Sequence, residues 1–225
     1  LTYSPASNRL FACPFADFCD GYLYVIDCAT DQIVNNVFLD APTDGYLNPF
    51  NELLYLTTGV TPPSVFIFDT NGTVIREHNR LGNPLAFRNK GDIHQVYIGS
   101  IYDSCFYVFD PLADTVLDTV PGVPTFNRGF SYYDSTDDRL YYPTCVLPDT
   151  YGIIVIDCAT NTIIATIQVG PAPNKLCWNS RDNKVYTATA DYNDSTVAVI
   201  DCASNTVIST LKPGRYPHWV SYDPV

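Results

Sequence analysis

The clearest hydrophobic pattern in the chain lies in Gly152–Gly170, "GIIVIDCATNTIIATIQVG", where one apolar run, an aspartate, a small polar turn and a second apolar run follow each other. Ile153–Ile156 is an unbroken β-branched run, as in a strand covered on both faces. Thr162–Val169 is a second strand that becomes polar at alternate positions. Asp157, Thr160 and Asn161 lie between them; Asp and Asn side chains bond their own downstream amides and tolerate tight backbone angles, so the stretch predicts a β-hairpin.

The pattern recurs as "YVIDCATDQIVNNV" from Tyr24, "FIFDTNGTVI" from Phe66, "YVFDPLADTVL" from Tyr107 and "AVIDCASNTVI" from Ala198. The aspartates of the five copies, Asp27, Asp69, Asp110, Asp157 and Asp201, are separated by 42, 41, 47 and 44 residues. Two more strands precede each hairpin. In the last copy these are Lys175–Asn179 and Lys184–Ala190, joined by the polar turn "SRDN"; the second strands elsewhere are "RLFACPF" at Arg9, "ELLYLTT" at Glu52, "QVYIGS" at Gln95 and "RLYYPTC" at Arg139. Four short antiparallel strands per repeat of this length predict an all-β chain of β-propeller blades, approximately 1–40, 41–83, 84–124, 125–170 and 171–219. No helical period or glycine-serine linker interrupts the series, so a single propeller domain over 1–225 is expected.

"KVYTATADYNDSTVAVIDCASNTVISTLKPGRYPHWVSYDP" from Lys184 resembles the YVTN family of β-propeller repeats, with a Tyr-centred strand, a Val-Ile-Asp strand, an Asn-Thr turn, a Gly and a Pro-His. "GIIVIDCATNTIIATIQVGPAPNKLCWN" is similar to the same pattern. The resemblance covers essentially the whole chain, closest in blades four and five. In blade two "IFDTNGTVIREHNRLGNP" lacks a smooth fourth strand, and in blade three "VFDPLADTV" replaces the turn residues. The resemblance implies a propeller fold and a bacterial or archaeal surface or secreted setting. His218, after Pro217, stands where the family pattern has its own His, which implies a structural role in that loop.

Val220–Pro224, "VSYDP", occupies the same place in the repeat as Leu1–Pro5, "LTYSP", so residues 220–225 repeat the first strand. In a closed five-bladed ring only one of the two segments fills the first-strand place, and strand exchange between chains is one use for the other. A six- or seven-bladed ring, of which this chain would be a part, is the alternative. An unfilled sheet edge accepts whatever strand is offered, which makes end-to-end assembly into a homo-polymer reasonable; a strand-swap closure within one chain, with a frayed spare end, is an equal alternative.

Composition narrows the setting. With 46% hydrophobic residues and 14% aromatics the chain has ample material for a core. A net charge of −12 opposes a phosphate backbone as partner, because nucleic-acid recognition needs clustered Lys and Arg. No apolar run reaches the length of a membrane helix, so no membrane insertion is expected. Methionine is absent even at the start, which leads us to expect a processed or excerpted chain. Eight cysteines and sequons at Asn71 and Asn193 point to an oxidising, extracellular or cell-surface location with disulfides and glycosylation. Cys13 with Cys19, across one short loop, is the only pairing we name. The cysteines lie scattered on repeat positions without the close spacing of a zinc site, so neither a metal nor another cofactor is expected.

Candidate chemistry is sparse. Aligned blades place Arg88, Arg128, Lys175, Arg215 and His218 near the channel mouth, where propellers bind, and this concentration suits an anionic group on a glycan or on a partner's acidic loop. The competing use of these residues is pairing with nearby acids. The acidic turns "DSTDD" at Asp134 and "DYND" at Asp191 lack the spacing of a calcium loop and read as solvated. The aspartate present in every hairpin reads as a turn residue, and the abundant tyrosines as core positions. No nucleophile elbow, phosphate loop or His-Glu metal motif occurs, so no catalytic residue is assigned. The sequence therefore predicts a non-enzymatic binding or self-assembly module, a subunit of a fibre or surface lattice whose partners are other protein subunits. The alternatives are a glycan-binding, lectin-like propeller and a hydrolase or lyase acting at the channel mouth.

Overall fold

The structure, a computed structural model, describes residues 1–13, 21–59, 62–100, 102–124, 131–146, 150–190, 195–215, 217 and 220–223. They form twenty strands in five four-stranded antiparallel sheets, each built from strands consecutive in the chain. Blade one comprises β1 (Thr2–Ser4), β2 (Arg9–Ala12), β3 (Gly21–Asp27) and β4 (Gln32–Leu39). Blade two has β5 (Pro42–Leu47), β6 (Leu54–Thr58), β7 (Ser64–Phe68) and β8 (Val74–Asn79). Blade three has β9 (Gly82–Lys90), β10 (Ile93–Ser100), β11 (Cys105–Asp110) and β12 (Thr115–Pro121). Blade four has β13 (Tyr132–Asp134), β14 (Arg139–Val146), β15 (Thr150–Asp157) and β16 (Thr162–Gln168). Blade five has β17 (Pro173–Asn179), β18 (Lys184–Ala190), β19 (Ser195–Asp201) and β20 (Thr206–Leu211). Among the described residues no helix is long and apolar enough to cross a membrane.

The chain divides into two compact units, Leu1–Gly82 with blades one and two, and Asn83–Val225 with blades three to five. In the first, Phe11, Leu23, Val25 and Leu39 of blade one pack with Leu54, Leu56 and Phe68 of blade two. In the second, Tyr97, Phe106 and Val108 of blade three meet Tyr142, Ile154 and Ile156 of blade four. Tyr141, Ile153 and Val155 then meet Leu176, Val185 and Ile200 of blade five. β15 thus buries both faces, Ile154 and Ile156 against blade three and Ile153 and Val155 against blade five, which is why it carries an unbroken β-branched run.

The hairpin aspartates cap their turns. Asp157 Oδ1 accepts from the amides of Ala159 (2.8 Å) and Thr160 (3.0 Å), and Asp27 and Asp110 repeat the arrangement two and three residues on. Blade three therefore keeps the turn although its residues differ, with Asp114 at φ 56° where Asn161 has φ 53°. Blade two uses a turn one residue shorter: Asp69 Oδ1 accepts from Asn71 and Thr73, and Gly72 takes φ 79°. A Cβ on Gly72 would stand 2.6 Å from Val25 of blade one, so both the backbone angle and the close approach require glycine. The fourth strand of blade two forms despite its polar sequence, since backbone pairing with β7 does not depend on side chains. Asp157→Ala should cost about 1 kcal/mol, the worth of a solvent-accessible turn cap, as read from the urea midpoint.

In every blade the register slips between the last apolar pair of the third strand and the fourth strand. One residue of each fourth strand is left without a partner: Val34, Ile75, Leu117, Ile164 or Ile208. All five are exposed. Each is a β-bulge, which strengthens the local twist of the outermost strand.

Cys13, Cys28, Cys105, Cys158, Cys177 and Cys202 are free thiols. Cys28, Cys158 and Cys202 each follow the hairpin aspartate, so they sit at equivalent points of different blades rather than facing one another. The expected disulfide framework finds no support in these six residues. Cys19, the partner expected for Cys13, lies outside the described residues.

Candidate functional site

The polar chemistry of the second unit is concentrated where successive blades meet. At the junction of blades three and four, Arg88 on β9 is 5% exposed and grips Asp138 at the turn before β14. Its Nε donates to Oδ1 (2.8 Å) and its Nη2 to Oδ2 (2.5 Å), while Nη1 donates to Gln95 (2.8 Å). Tyr133 donates to the same carboxylate (2.8 Å). Burial alone would raise the Asp138 carboxyl, but the bonds from Arg88 and Tyr133 and the charges of Arg88 and Lys90 outweigh it and hold the group below its ordinary value. Tyr97 on β10 reaches across to Asn161 Oδ1 in the blade-four turn (2.7 Å) and lies over the buried Cys158, whose thiol burial pushes up to about 12.

The junction of blades four and five repeats this arrangement. Tyr141 donates to Asn205 Oδ1 (3.1 Å), Arg139 Nη1 to the Cys202 carbonyl, and Asn183 Nδ2 to Asp137 Oδ2 (2.8 Å). Burial raises the Cys202 thiol to about 11. The same turn of blade four holds one uncompensated group. Asp134 is fully buried; its Oδ1 accepts from the amides of Thr136 and Asp137, but its Oδ2 has no partner. In blade five the equivalent residue is Asn179, whose Nδ2 donates to Asp182 (3.0 Å). Burial, with the Asp137 charge, raises the Asp134 carboxyl despite the two amides and Arg139. A carboxyl raised in the folded state loses stability as pH rises from the unfolded value, about 4, through the folded one. Asp134→Asn should therefore stabilise the protein by about 1 kcal/mol at pH 7, with the gain vanishing toward pH 3 in urea titrations.

A cavity of about 360 Å³ lies against β17 and β18, lined by Cys177, Asn179, Tyr186, Val220, Ser221 and Tyr222. Burial raises the Cys177 thiol, and a backbone hydrogen bond from Tyr222 partly offsets this. Residues 220–223, the copy of the first strand, belong to no sheet.

Of the residues expected at a binding mouth, Arg88 is spent on Asp138 and Gln95. Lys175 is half-buried on β17, where pairing with β18 is irregular between Pro173 and Leu176. Arg215 is exposed beyond the end of β20. Arg128 and His218 lie outside the described residues, as do the sequon residue Asn193 and the acidic turn at 191–194. Asn71 stands exposed on the short blade-two turn, its carbonyl accepting from Asn35 Nδ2 (2.8 Å). Among the described residues the exposed Tyr22, which meets Phe38 edge-on, is replaced at the equivalent positions of the other blades by Ser64, Cys105, Gly152 and Thr196. Sequence reasoning passed over the Tyr97–Asn161 and Tyr141–Asn205 pairs. The tyrosines and the turn asparagines recur visibly, but a single sequence gives no sign that one blade's tyrosine meets the next blade's turn.

No model of a protein family matches the chain, and no curated protein matches it in sequence. Solved structures do. The Dos1 propeller superposes with a TM-score of 0.71 at 15% identity, over 95% of this chain and 57% of that one. The chain is a β-propeller. A chain from the crystal structure of the mitotic checkpoint complex gives a TM-score of 0.67, also at 15% identity, over 91% of the propeller described here and 64% of that chain. The propeller thus spans less than two thirds of either solved chain, and at this identity the likeness is one of fold alone.

Proposed function

We propose that the chain is a non-enzymatic, protein-binding propeller of the YVTN type, displayed outside the cell or on its surface, that assembles with copies of itself into a fibre or lattice. The observation that carries this reading is the second copy of the first strand: Thr2–Ser4 pairs with β2, while Val220–Tyr222, of the same sequence type, line the cavity beside β17 and β18 without forming a strand. A strand-length segment without a sheet is a ready donor to another chain. The occurrence of a similar propeller in a multiprotein complex agrees with protein partners. The surface setting rests on the repeat pattern, the acidic composition and the exposed Asn71 sequon.

Electron microscopy of native-source material, with intact mass spectrometry, tests the reading. Filaments or lattices built from 25 kDa units are expected. Discrete monomers would sink it and would turn the search to sugars and metals at the channel mouth.

A further inference from the structure

At the passage from first to second strand the five blades carry Ser4, Asn48, Asn89, Asp134 and Asn179, and Asp134 is the one acid among them. Asn179 shows what the position does. Its Oδ1 accepts from the amides of Arg181 (3.0 Å) and Asp182 (3.1 Å), and its Nδ2 donates to Asp182 Oδ2 (3.0 Å). Ser4 divides its hydroxyl in the same way, accepting from the Ser7 amide and donating to the Glu52 carboxylate. In both blades the side chain accepts from its own turn and donates to a carboxylate.

Asp134 keeps half of this arrangement. Its Oδ1 accepts from the amides of Thr136 (2.8 Å) and Asp137 (3.3 Å), so its Oδ2 takes the place of the Asn179 nitrogen, and Asp137 takes the place of Asp182. That Oδ2 is buried and has no partner. An ionised carboxylate only accepts, which leaves two anionic groups together with no hydrogen between them. Two carboxylates that share a buried place favour holding one proton.

The groups that face Asp134 are Asp137, Arg139 and Tyr141 of its own blade and Cys202 of the blade-five hairpin. Arg139 donates to the Cys202 carbonyl and stands 3.8 Å from Asp137 Oδ2; its charge does not outweigh burial and the Asp137 charge. Tyr141 donates to Asn205, and burial keeps the Cys202 thiol neutral. Asp138, next in the turn, is engaged by Arg88, Tyr133 and Lys90 on the side of blade three. Among the described residues no group of three His, Cys, Asp or Glu side chains is placed to hold a metal ion, and a proton needs only the two carboxylates.

We propose that this turn is a proton-operated latch: protonated Asp134 donates its Oδ2–H to the Asp137 carboxylate, and loss of that proton loosens the junction of blades four and five. Asp137 links the two events. Its Oδ2 also accepts from Asn183 Nδ2 of blade five (2.8 Å), and the Asn183 carbonyl accepts from the Cys202 amide (3.1 Å). With the proton in place, Asp137 is held between a donor on each side. Without it, the buried Asp134 charge repels the carboxylate that Asn183 holds. The folded carboxyl lies above its unfolded value of about 4, so the junction is tight in acid and weakens as pH rises through the folded value.

The test is carbon-detected NMR of the full chain labelled with ¹³C and ¹⁵N, following the Asp134 carboxyl carbon and the Asn183 side-chain amide between about pH 3 and pH 8. Both are expected to shift with one midpoint, above the ordinary aspartate value of about 4. Asp137→Asn should lower that midpoint, because both the second charge and the acceptor of the proton are weakened. In Asp134→Asn the amide hydrogen takes the proton's place, so the Asn183 signal should keep its acid position throughout. At pH 7 the Cys202 amide should exchange about fivefold faster in the wild type than in Asp134→Asn. The proposal is overturned by an Asp134 carbon that titrates at the ordinary value, by an Asn183 amide that does not follow it, by a midpoint unmoved in Asp137→Asn, or by equal Cys202 exchange. The first two outcomes are read on the wild type alone.

Discussion

Ile156→Asp should yield no folded protein. Ile156 is fully buried on β15 among Tyr97, Val108, Leu140 and Cys158, in the core shared by blades three and four. The cluster around it is apolar apart from the tyrosine hydroxyls and the Cys158 thiol, and an unpaired carboxylate there costs several kcal/mol. A domain of this kind is stable by only about 5–15 kcal/mol, so one such group consumes most of the margin. Loss of the cooperative urea transition, with the chain recovered only from the insoluble fraction, is the expected result. A soluble variant with a wild-type circular dichroism spectrum would show that β15 is not covered on both faces.

Arg88→Met should cost about 3–5 kcal/mol, the usual penalty for removing one partner of a buried pair. The methionine fills much of the space of the arginine stem, so the loss comes from Asp138, left buried with only Tyr133 and the more distant Lys90, 3.9 Å away. The pH dependence identifies the cause. In the wild type, Asp138 sits below its ordinary value, so its contribution is present above pH 4 and is lost as pH falls through the folded value. Without Arg88, burial dominates and the carboxyl rises; stability then falls as pH increases above about 4. The gap between the urea midpoints of the two proteins should therefore widen from pH 3 to pH 7. Parallel slopes would mean that Asp138 does not depend on Arg88.

The hairpins were legible because their chemistry is local. Asp157 and the amides it binds lie within three residues of one another, and the apolar run of β15 reports directly on the two surfaces that cover it. Arg88 shows where sequence reading stops. It stood out as one of few cations in an acidic chain and suggested a binding mouth, but its partner is 50 residues away and belongs to the next blade. The same distance in sequence hid the roles of Tyr97, Tyr141 and the turn asparagines. The cysteines are hard to read for a related reason: their even number and the sequons suggested bridges, while repetition places Cys28, Cys158 and Cys202 one per blade, Cys158 and Cys202 as small apolar residues beneath a neighbouring blade's tyrosine. Blade two shows the converse, since its charged fourth strand looked unfit yet needs only its backbone to pair.

The bulges of the fourth strands bear on dimensionality. Every outermost strand carries an exposed valine, isoleucine or leucine at its bulge, in a context of high β-propensity. On a flat edge such residues would recruit strands from neighbouring molecules and knit the protein into amorphous sheets. The added twist spoils the alignment that lateral strand addition needs. With the rims withdrawn from pairing, sheets do not extend sideways from one molecule to the next.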